Sequence, residues 1–165
     1  MKRLQPKSIY TLGDYYKSEY LREDCHLIRG KNLVTMCDKA YDLAQKLPKD
    51  GVLIPVPSLS GYNEEFTRLV AYYANLPFYP TLARENLGNC GLYLMKKGGA
   101  EVTEADTGIF CLGCPPEGRL ILIDNVIATG TTISACLRAL GRDTDAACVA
   151  VDYNTYNKHN KKEKK

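Results

Sequence analysis

The sequence predicts an α/β protein: a three-layer α/β/α sandwich with a mostly parallel central sheet. Short aliphatic runs alternate along the chain with amphipathic segments, and Gly, Pro and polar residues separate them. The run at 120–123, Leu-Ile-Leu-Ile, is continuously apolar, as expected of a strand covered on both faces in a parallel sheet. With 165 residues, 45% of them hydrophobic, the chain is large enough for one domain around one core.

The positions of the individual helices and strands are predicted from the periodicity of apolar residues and from residues that end helices or strands. Apolar residues at three- and four-residue spacing, ended by Pro48, predict a helix at 32–47, and similar spacing predicts helices through Phe66 and Leu76 and from Ile133 to Leu140. The predicted strands are 51–56, 78–82, 108–112, 120–123 and 146–151. The tyrosine-rich residues 10–29 have mixed periodicity and predict only a short strand and turn, or an irregular lead-in. Residues 85–107, with four glycines, predict a long excursion or a flexible hairpin.

The strand at 120–123 is followed by polar residues suited to a phosphosugar. Asp124 should emerge at the carboxyl end of the strand, where ligands of open α/β sheets bind. The loop at 128–132 then leads into a helix whose N-terminus presents unpaired N–H groups to an anion, and Gly130 lets the backbone approach a phosphate closely. The plainer alternative is a buried strand followed by a capped helix. The sequence has neither a G-x-x-x-x-G-K-[ST] phosphate loop nor a G-x-G-x-x-G dinucleotide fingerprint.

The string at 120–132, L-I-L-I-D-N-V-I-A-T-G-T-T, resembles the phosphoribosyl pyrophosphate (PRPP) motif of type I phosphoribosyltransferases. The resemblance implies that Asp124 and Asn125 are catalytic residues that hold the ribose hydroxyls. It also implies a loop that binds the 5′-phosphate, made of Ala128, Thr129, Gly130, Thr131 and Thr132. Most members of the family carry two adjacent acids. An amide at Asn125 can still bind a hydroxyl but brings no charge toward a magnesium-bound ligand, which affects catalytic rate more than PRPP binding.

A second segment, at 51–77, also resembles the family, especially its competence-associated and amidophosphoribosyltransferase-like branch, in which a P-V-P strand end precedes a loop and a helix. The resemblance implies a pyrophosphate-binding loop made of Ser58, Leu59, Ser60 and Gly61. Because this loop has no basic residue before Arg68, positive charge must come from elsewhere. The candidates are Arg84, at a strand end, and Lys96 with Lys97, in the excursion that would match the family's mobile hood. The plainer alternatives are a strand-to-helix connection capped by Ser60, a surface ion pair for Arg84 and solvated lysines.

The resemblance implies a PRPP-dependent pentosyltransferase, a glycosyltransferase of nucleotide metabolism. It would transfer ribose 5-phosphate to a nucleobase-like or amine acceptor and release pyrophosphate. The expected cofactor is Mg²⁺, held through PRPP with no direct protein ligand, and a homodimer is expected by resemblance. A non-catalytic PRPP- or nucleotide-binding regulatory module is the alternative. An RNA or interaction adaptor that uses the basic tail is weaker.

Domain organisation and location follow from charge and composition. One phosphoribosyltransferase-like domain is expected at 1–157, with the hood or flexible loop at about 85–107 and a disordered basic tail at 158–165. The net charge of +3 is small and partly in that tail, so we do not expect nucleic acid as a partner. No apolar run approaches the roughly 20 residues needed to cross a bilayer. Because residues 1–7 also have no signal-peptide core, a cytoplasmic protein without a membrane partner is expected.

The cysteines indicate reduced thiols. There are seven, an odd number scattered along the chain, which fits packed thiols better than a disulfide framework. Cys111 and Cys114 form one C-x-x-C, but a closed zinc site needs four ligands. We expect two thiols beside a strand end, with a metal or redox site as the alternative.

Overall fold

The computed structural model describes residues 3–85 and 102–161, with Lys161 described only in its backbone. The strands are β1 (Ile9–Asp14), β2 (Val52–Pro55), β3 (Leu82–Arg84), β4 (Ile109–Cys111), β5 (Leu120–Ile127) and β6 (Asp145–Val151). The helices are α1 (Glu19–Arg29), α2 (Leu33–Lys46), α3 (Tyr62–Ala74), α4 (Thr131–Leu140) and α5 (Tyr153–Lys161). A 3₁₀ turn at Ala105–Thr107 precedes β4.

Four strands form a parallel sheet in the order β1-β6-β5-β2. Asp124 of β5 pairs with Cys148 of β6, and Ile54 of β2 pairs with Leu122 of β5. Because parallel strands end at the same edge, the loops that follow β2 and β5 start side by side, so the two segments predicted to bind one ligand are neighbours. β3 and β4 pair antiparallel in a separate two-stranded sheet.

Helices cover both faces of the parallel sheet. On one face α1, α2 and α3 pack against β5 and β6 through a cluster that includes Ile28, Leu43 and Phe66, all fully buried. On the other face α4 packs against β5, with Cys136 in a second buried cluster that Tyr156 of α5 joins. The predicted three-layer α/β/α sandwich with a mostly parallel sheet is confirmed.

Two predicted elements differ from the structure. In the region 10–29 the predicted short strand is present as part of β1, but the helix α1 follows it instead of a turn or an irregular segment. Ser18 caps α1 by accepting a hydrogen bond from the N–H of Leu21, and Leu21, Cys25 and Ile28 then recur at helical spacing between polar residues that obscure the period. The strand predicted at 78–82 is displaced to Leu82–Arg84, because Pro80 has no N–H to contribute to a ladder; Phe78 makes only an isolated bridge with Leu53.

The C-terminal segment is partly helical where a disordered tail was predicted at 158–165. α5 continues through Lys161, and Asp152 caps its first turn by accepting a hydrogen bond from the N–H of Thr155 at 3.0 Å. Gln5 Nε2 also donates to Asn160 Oδ1 at 2.7 Å, which ties α5 to the N-terminal segment. The rest of the tail, residues 162–165, lies outside the described residues, as do 86–101 of the predicted hood with Lys96 and Lys97. Within 3–85 and 102–161, no helix has the length and apolar content to span a bilayer.

Candidate functional site

A pocket of about 380 Å³ opens at the carboxyl edge of the sheet, between the ends of β2 and β5. Its lining includes most of the predicted site residues: Asp124, Ala128, Thr129, Gly130, Thr132, Ser58, Leu59, Ser60 and Arg84. Arg29 of α1 and Tyr62 of α3 also line it, and neither was predicted. The fold therefore brings both motifs and Arg84 into one cavity.

Two predicted residues contribute from outside this pocket. Gly61 lines a neighbouring recess and begins α3 in the left-handed conformation. Thr131 is buried, and its N–H and hydroxyl are both bonded to Thr129 Oγ1, at 3.3 and 2.9 Å. Thr131, predicted as part of the loop that binds the 5′-phosphate, therefore stabilises the loop at 128–132 through Thr129 and is not among the residues that line the pocket.

The loop at 128–132 presents free backbone donors at the start of α4. Gly130 adopts φ 79° and ψ 0° and caps α4 without a side-chain hydrogen bond. The first intrahelical bond joins the N–H of Ser134 to the carbonyl of Gly130 at 2.8 Å. Among the described residues no acceptor lies within reach of the N–H groups of Thr132 and Ile133, and both residues line the pocket. Two free amides at a helix N-terminus form a binding site for an anion.

Replacing Gly130 by Ala should weaken phosphate binding. A Cβ at this position would lie 3.0 Å from Cε2 of Tyr156, so the loop or the ring would have to move. Gly141 provides a matched control, because it ends the same helix with φ 66° and has open space around it. We expect both variants to lose about 1–2 kcal/mol of stability for the left-handed conformation. Only Gly130→Ala should lose affinity for ribose 5-phosphate in calorimetry; equal affinities in the two variants would contradict this role of the loop.

Asp124 is a carboxylate held at the base of the pocket. Burial raises its pKa to about 6, although the hydrogen bond from the N–H of Asn125 to Oδ1, at 2.7 Å, and the charge of Arg29 act in the opposite direction. The side chain lines the pocket rather than the apolar core. It can therefore accept hydrogen bonds from ligand hydroxyls or stabilise positive charge that develops on a ligand.

Asn125 does not share the position predicted for it. Successive side chains of a strand point in opposite directions, and that of Asn125 is fully buried against α1. Its Nδ2 donates to the carbonyl of Cys25 at 2.8 Å. The structure thus corrects the predicted ribose-binding pair: in the described part of the protein Asp124 lines the pocket, and Asn125 instead ties β5 to α1.

Two arginines supply positive charge to the pocket. Arg84 lies at the end of β3, as predicted, and burial lowers the pKa of its guanidinium. Arg29 ends α1, in the region where sequence periodicity failed to indicate a helix. Burial and the charge of Asp124 raise the pKa of Tyr62 to about 12, while the positive charge of Arg29 acts against that rise. Tyr62 is therefore a neutral phenol near neutral pH.

Asn63 fixes the two loops relative to each other. This fully buried residue of α3 donates from Nδ2 to the carbonyls of Val56 and Ile123, both at 2.8 Å. Its N–H also donates to Ser58 Oγ at 3.3 Å. The side-chain amide of Asn63 thus connects Val56, which follows β2, to Ile123 of β5, the residue before Asp124.

Comparison with known proteins gives similarities in structure only. No family model and no curated protein matches the chain. Glutamine PRPP amidotransferase from B. subtilis, complexed with ADP and GMP, is similar at 15% identity and a TM-score of 0.48 over 71% of this chain. Orotate phosphoribosyltransferase from Aeropyrum pernix is similar at 17% identity and a TM-score of 0.45 over 81% of this chain and 66% of its own. Adenine phosphoribosyltransferase from Thermoanaerobacter pseudethanolicus is similar at 18% identity and a TM-score of 0.48 over 73% of this chain and 82% of its own.

This chain spans about a quarter of the length of the amidotransferase, since the match covers 26% of that protein. With TM-scores below 0.5, none of these similarities supports a particular substrate or activity. None of the three distinguishes the competence-associated branch. By their names, two of these three solved structures are phosphoribosyltransferases and one is a PRPP amidotransferase, and their similarity to this chain concerns the fold alone.

Proposed function

We propose that the protein transfers ribose 5-phosphate from PRPP to a nitrogen nucleophile and releases pyrophosphate. One observation carries the proposal: Asp124, the free amides that follow Gly130 and the hydroxyls of Ser58 and Ser60 line a single pocket. The amides suit a terminal phosphate, Asp124 suits ribose hydroxyls, and the serine loop suits a second anionic group. A phosphorylated sugar with a diphosphate at its other end matches that order.

The pocket offers a stabilising group for each charge that develops during such a transfer. As the bond between C1 and the leaving oxygen lengthens, positive charge grows on the sugar and negative charge grows on pyrophosphate. Asp124 can orient the ribose and stabilise the cation, while Arg84 and the loop that carries Ser58 can stabilise the leaving group. Fixed groups in a cavity do this with little reorganisation, and we place most of the catalytic effect there.

The described residues fit a magnesium ion held chiefly by the ligand. Asp124 is the one carboxylate among the pocket residues of the described chain, which also contains no cluster of three or more His, Cys, Asp or Glu able to hold a metal. Mg²⁺ is often bound by one or two carboxylates together with substrate phosphates. When bound with PRPP, the ion would neutralise negative charge on the pyrophosphate oxygens.

A pyrophosphate-release assay tests the proposal. The protein would be incubated with PRPP and Mg²⁺ and a panel of nucleobases and small amines, with PRPP binding measured separately by calorimetry. We expect PRPP to bind and one class of acceptor to stimulate pyrophosphate release. Failure to bind PRPP would overturn the proposal.

A non-catalytic PRPP- or nucleotide-binding module is the second candidate. The burial of Asn125 favours it, since the pocket is left with Asp124 where most family members would carry two acids. PRPP binding without pyrophosphate release, under any acceptor, would favour this candidate over the enzyme.

Location and assembly belong to the same proposal. We place the protein in the cytoplasm, because the cysteines within the described residues are free thiols, as is common in a reducing compartment. We also propose a homodimer formed through exposed tyrosines of α2 and α3, of which Tyr41 is 53% and Tyr72 is 78% exposed. Sedimentation velocity of wild type and Tyr72→Ser tests this assembly.

A further inference from the structure

We infer that Arg29, supplied by α1, binds the diphosphate end of the ligand against the loop that carries Ser58 and Ser60. The inference rests on the proposed function, because it assumes that the pocket receives a phosphorylated sugar with a diphosphate. Neither sequence motif includes Arg29. The residue belongs to a helix that reaches the site from a different part of the chain.

The charges of the pocket identify Arg29 as an anion-binding group. Among the described residues that line it, Arg29 and Arg84 are cationic and Asp124 is anionic. No carboxylate in the described part of the chain lies within 4.0 Å of the Arg29 guanidinium, whereas Arg119 and Arg138 have such ion pairs. A guanidinium with no carboxylate within ion-pair distance, in a pocket that also exposes backbone amides, is suited to a phosphate, which it can bind through two parallel hydrogen bonds.

The surroundings of Arg29 indicate which end of the ligand it meets. Tyr62, which lines the pocket together with Arg29 and whose pKa the charge of Arg29 lowers, is the first residue of α3 and directly follows the loop at 58–61. The phosphate loop begins at the far end of β5, beyond Asp124 and Val126. Arg29 therefore lies beside the loop assigned to the diphosphate, which itself contains no cation.

The packing of α1 explains how the helix end that carries Arg29 is held beside the pocket. Ile28, next to Arg29, is fully buried against the sheet, and the carbonyl of Cys25, one turn earlier, accepts from Asn125 Nδ2 at 2.8 Å. The position that is acidic in most family members thus anchors the helix that carries Arg29. An amide is required there, because a carboxylate cannot donate to a carbonyl.

The test compares Arg29→Gln with Arg22→Gln by calorimetry, using PRPP, pyrophosphate and ribose 5-phosphate as separate ligands. Arg22 is the matched control because it removes the same charge from the same helix but lies at another recess, beside Glu19 and His26. Loss of one charge-assisted contact should weaken pyrophosphate and PRPP binding about 10- to 100-fold. Binding of ribose 5-phosphate should change less than about threefold, and Arg29→Lys should restore part of the loss.

Each of the other outcomes would overturn either the inference about Arg29 or the proposed function. If wild type binds PRPP and Arg29→Gln binds pyrophosphate equally well, the inference fails and the proposed function stands. Equal losses of pyrophosphate affinity in Arg29→Gln and Arg22→Gln would show that the effect comes from net charge alone. They would overturn a direct contact between Arg29 and the diphosphate. Equal losses of pyrophosphate and ribose 5-phosphate would place Arg29 away from the diphosphate. A wild-type protein that does not bind PRPP would overturn the proposed function itself.

Discussion

Replacing Asp124 by Asn should stop pyrophosphate release and, at the same time, make the protein more stable near neutral pH. The loss of turnover is expected because Asp124 is the carboxylate that lines the pocket in the described structure, and an amide cannot stabilise a cationic sugar. We expect a decrease in kcat of about 100-fold or more, by analogy with the removal of one preorganised electrostatic group. The hydrogen bond from the N–H of Asn125 can be kept by the amide oxygen, so the loop should remain folded.

The gain in stability follows from the raised pKa. Burial raises the pKa of Asp124 to about 6 from its ordinary value of 3.8. Between these values the folded protein holds a proton that the unfolded chain has released, so the free energy of unfolding falls as the pH rises through this window. Above about pH 6 the full cost of the buried charge is present, with an upper limit of roughly 3 kcal/mol. A neutral Asn removes this cost at pH 7.5 and brings little advantage at pH 4.

Urea unfolding at pH 4 and pH 7.5, together with the pyrophosphate-release assay, measures both effects. Asp14→Asn serves as the control, because Asp14 ends β1 at the same edge of the sheet. Its Oδ1 accepts a hydrogen bond from the N–H of Tyr16 at 2.9 Å, and its Oδ2 lies 3.8 Å from Nζ of Lys17. It does not line the pocket, so its replacement should neither stabilise the protein nor reduce turnover. Normal turnover in Asp124→Asn would remove Asp124 from the mechanism. An unchanged pH dependence of stability would show that its carboxylate is not buried.

The sequence predicted those parts of the site that are local in the chain. The strand ending in Asp124 and the loop around Gly130 are contiguous, so their chemistry and their geometry appear together in one motif. Arg29 could not be predicted in this way, because it reaches the pocket only after α1 has packed on the sheet. A partial signal existed, since Ser18, Leu21, Cys25 and Ile28 have the spacing of a capped amphipathic helix.

Asn125 shows a different limit of motif reasoning. Its place next to Asp124 predicted a shared role, yet adjacent residues of a strand face opposite sides and the side chain enters the interior. The direction of a side chain depends on the register of β5 in the sheet, which a motif does not state. The role of Asn63 could not be predicted from a motif either, because its two hydrogen bonds connect β5 with the end of β2, which are far apart in sequence.

Replacing Asn63 by Asp should cause the largest loss of stability among these variants. The change is nearly isosteric, but it places a carboxylate oxygen where Nδ2 now donates to the carbonyls of Val56 and Ile123, in a fully buried position. Two carbonyls would lose their donor and face a negative charge. We expect a loss of about 3–5 kcal/mol at neutral pH, as for other buried charges without a partner. The loss should be smaller at about pH 4, where more of the carboxyl is protonated and can donate one hydrogen bond.

Asn75→Asp provides the control, because Asn75 lies exposed at the C-terminal end of the same helix. A new negative charge there should cost about 0.3–1 kcal/mol through the helix dipole. Urea unfolding of both variants at two pH values measures the difference. If Asn63→Asp were no less stable than Asn75→Asp, the bridge between β2 and β5 would not hold the two loops together. If it unfolds more easily as expected, its remaining folded fraction should also bind PRPP more weakly, because the serine loop and Asp124 are no longer fixed at one separation.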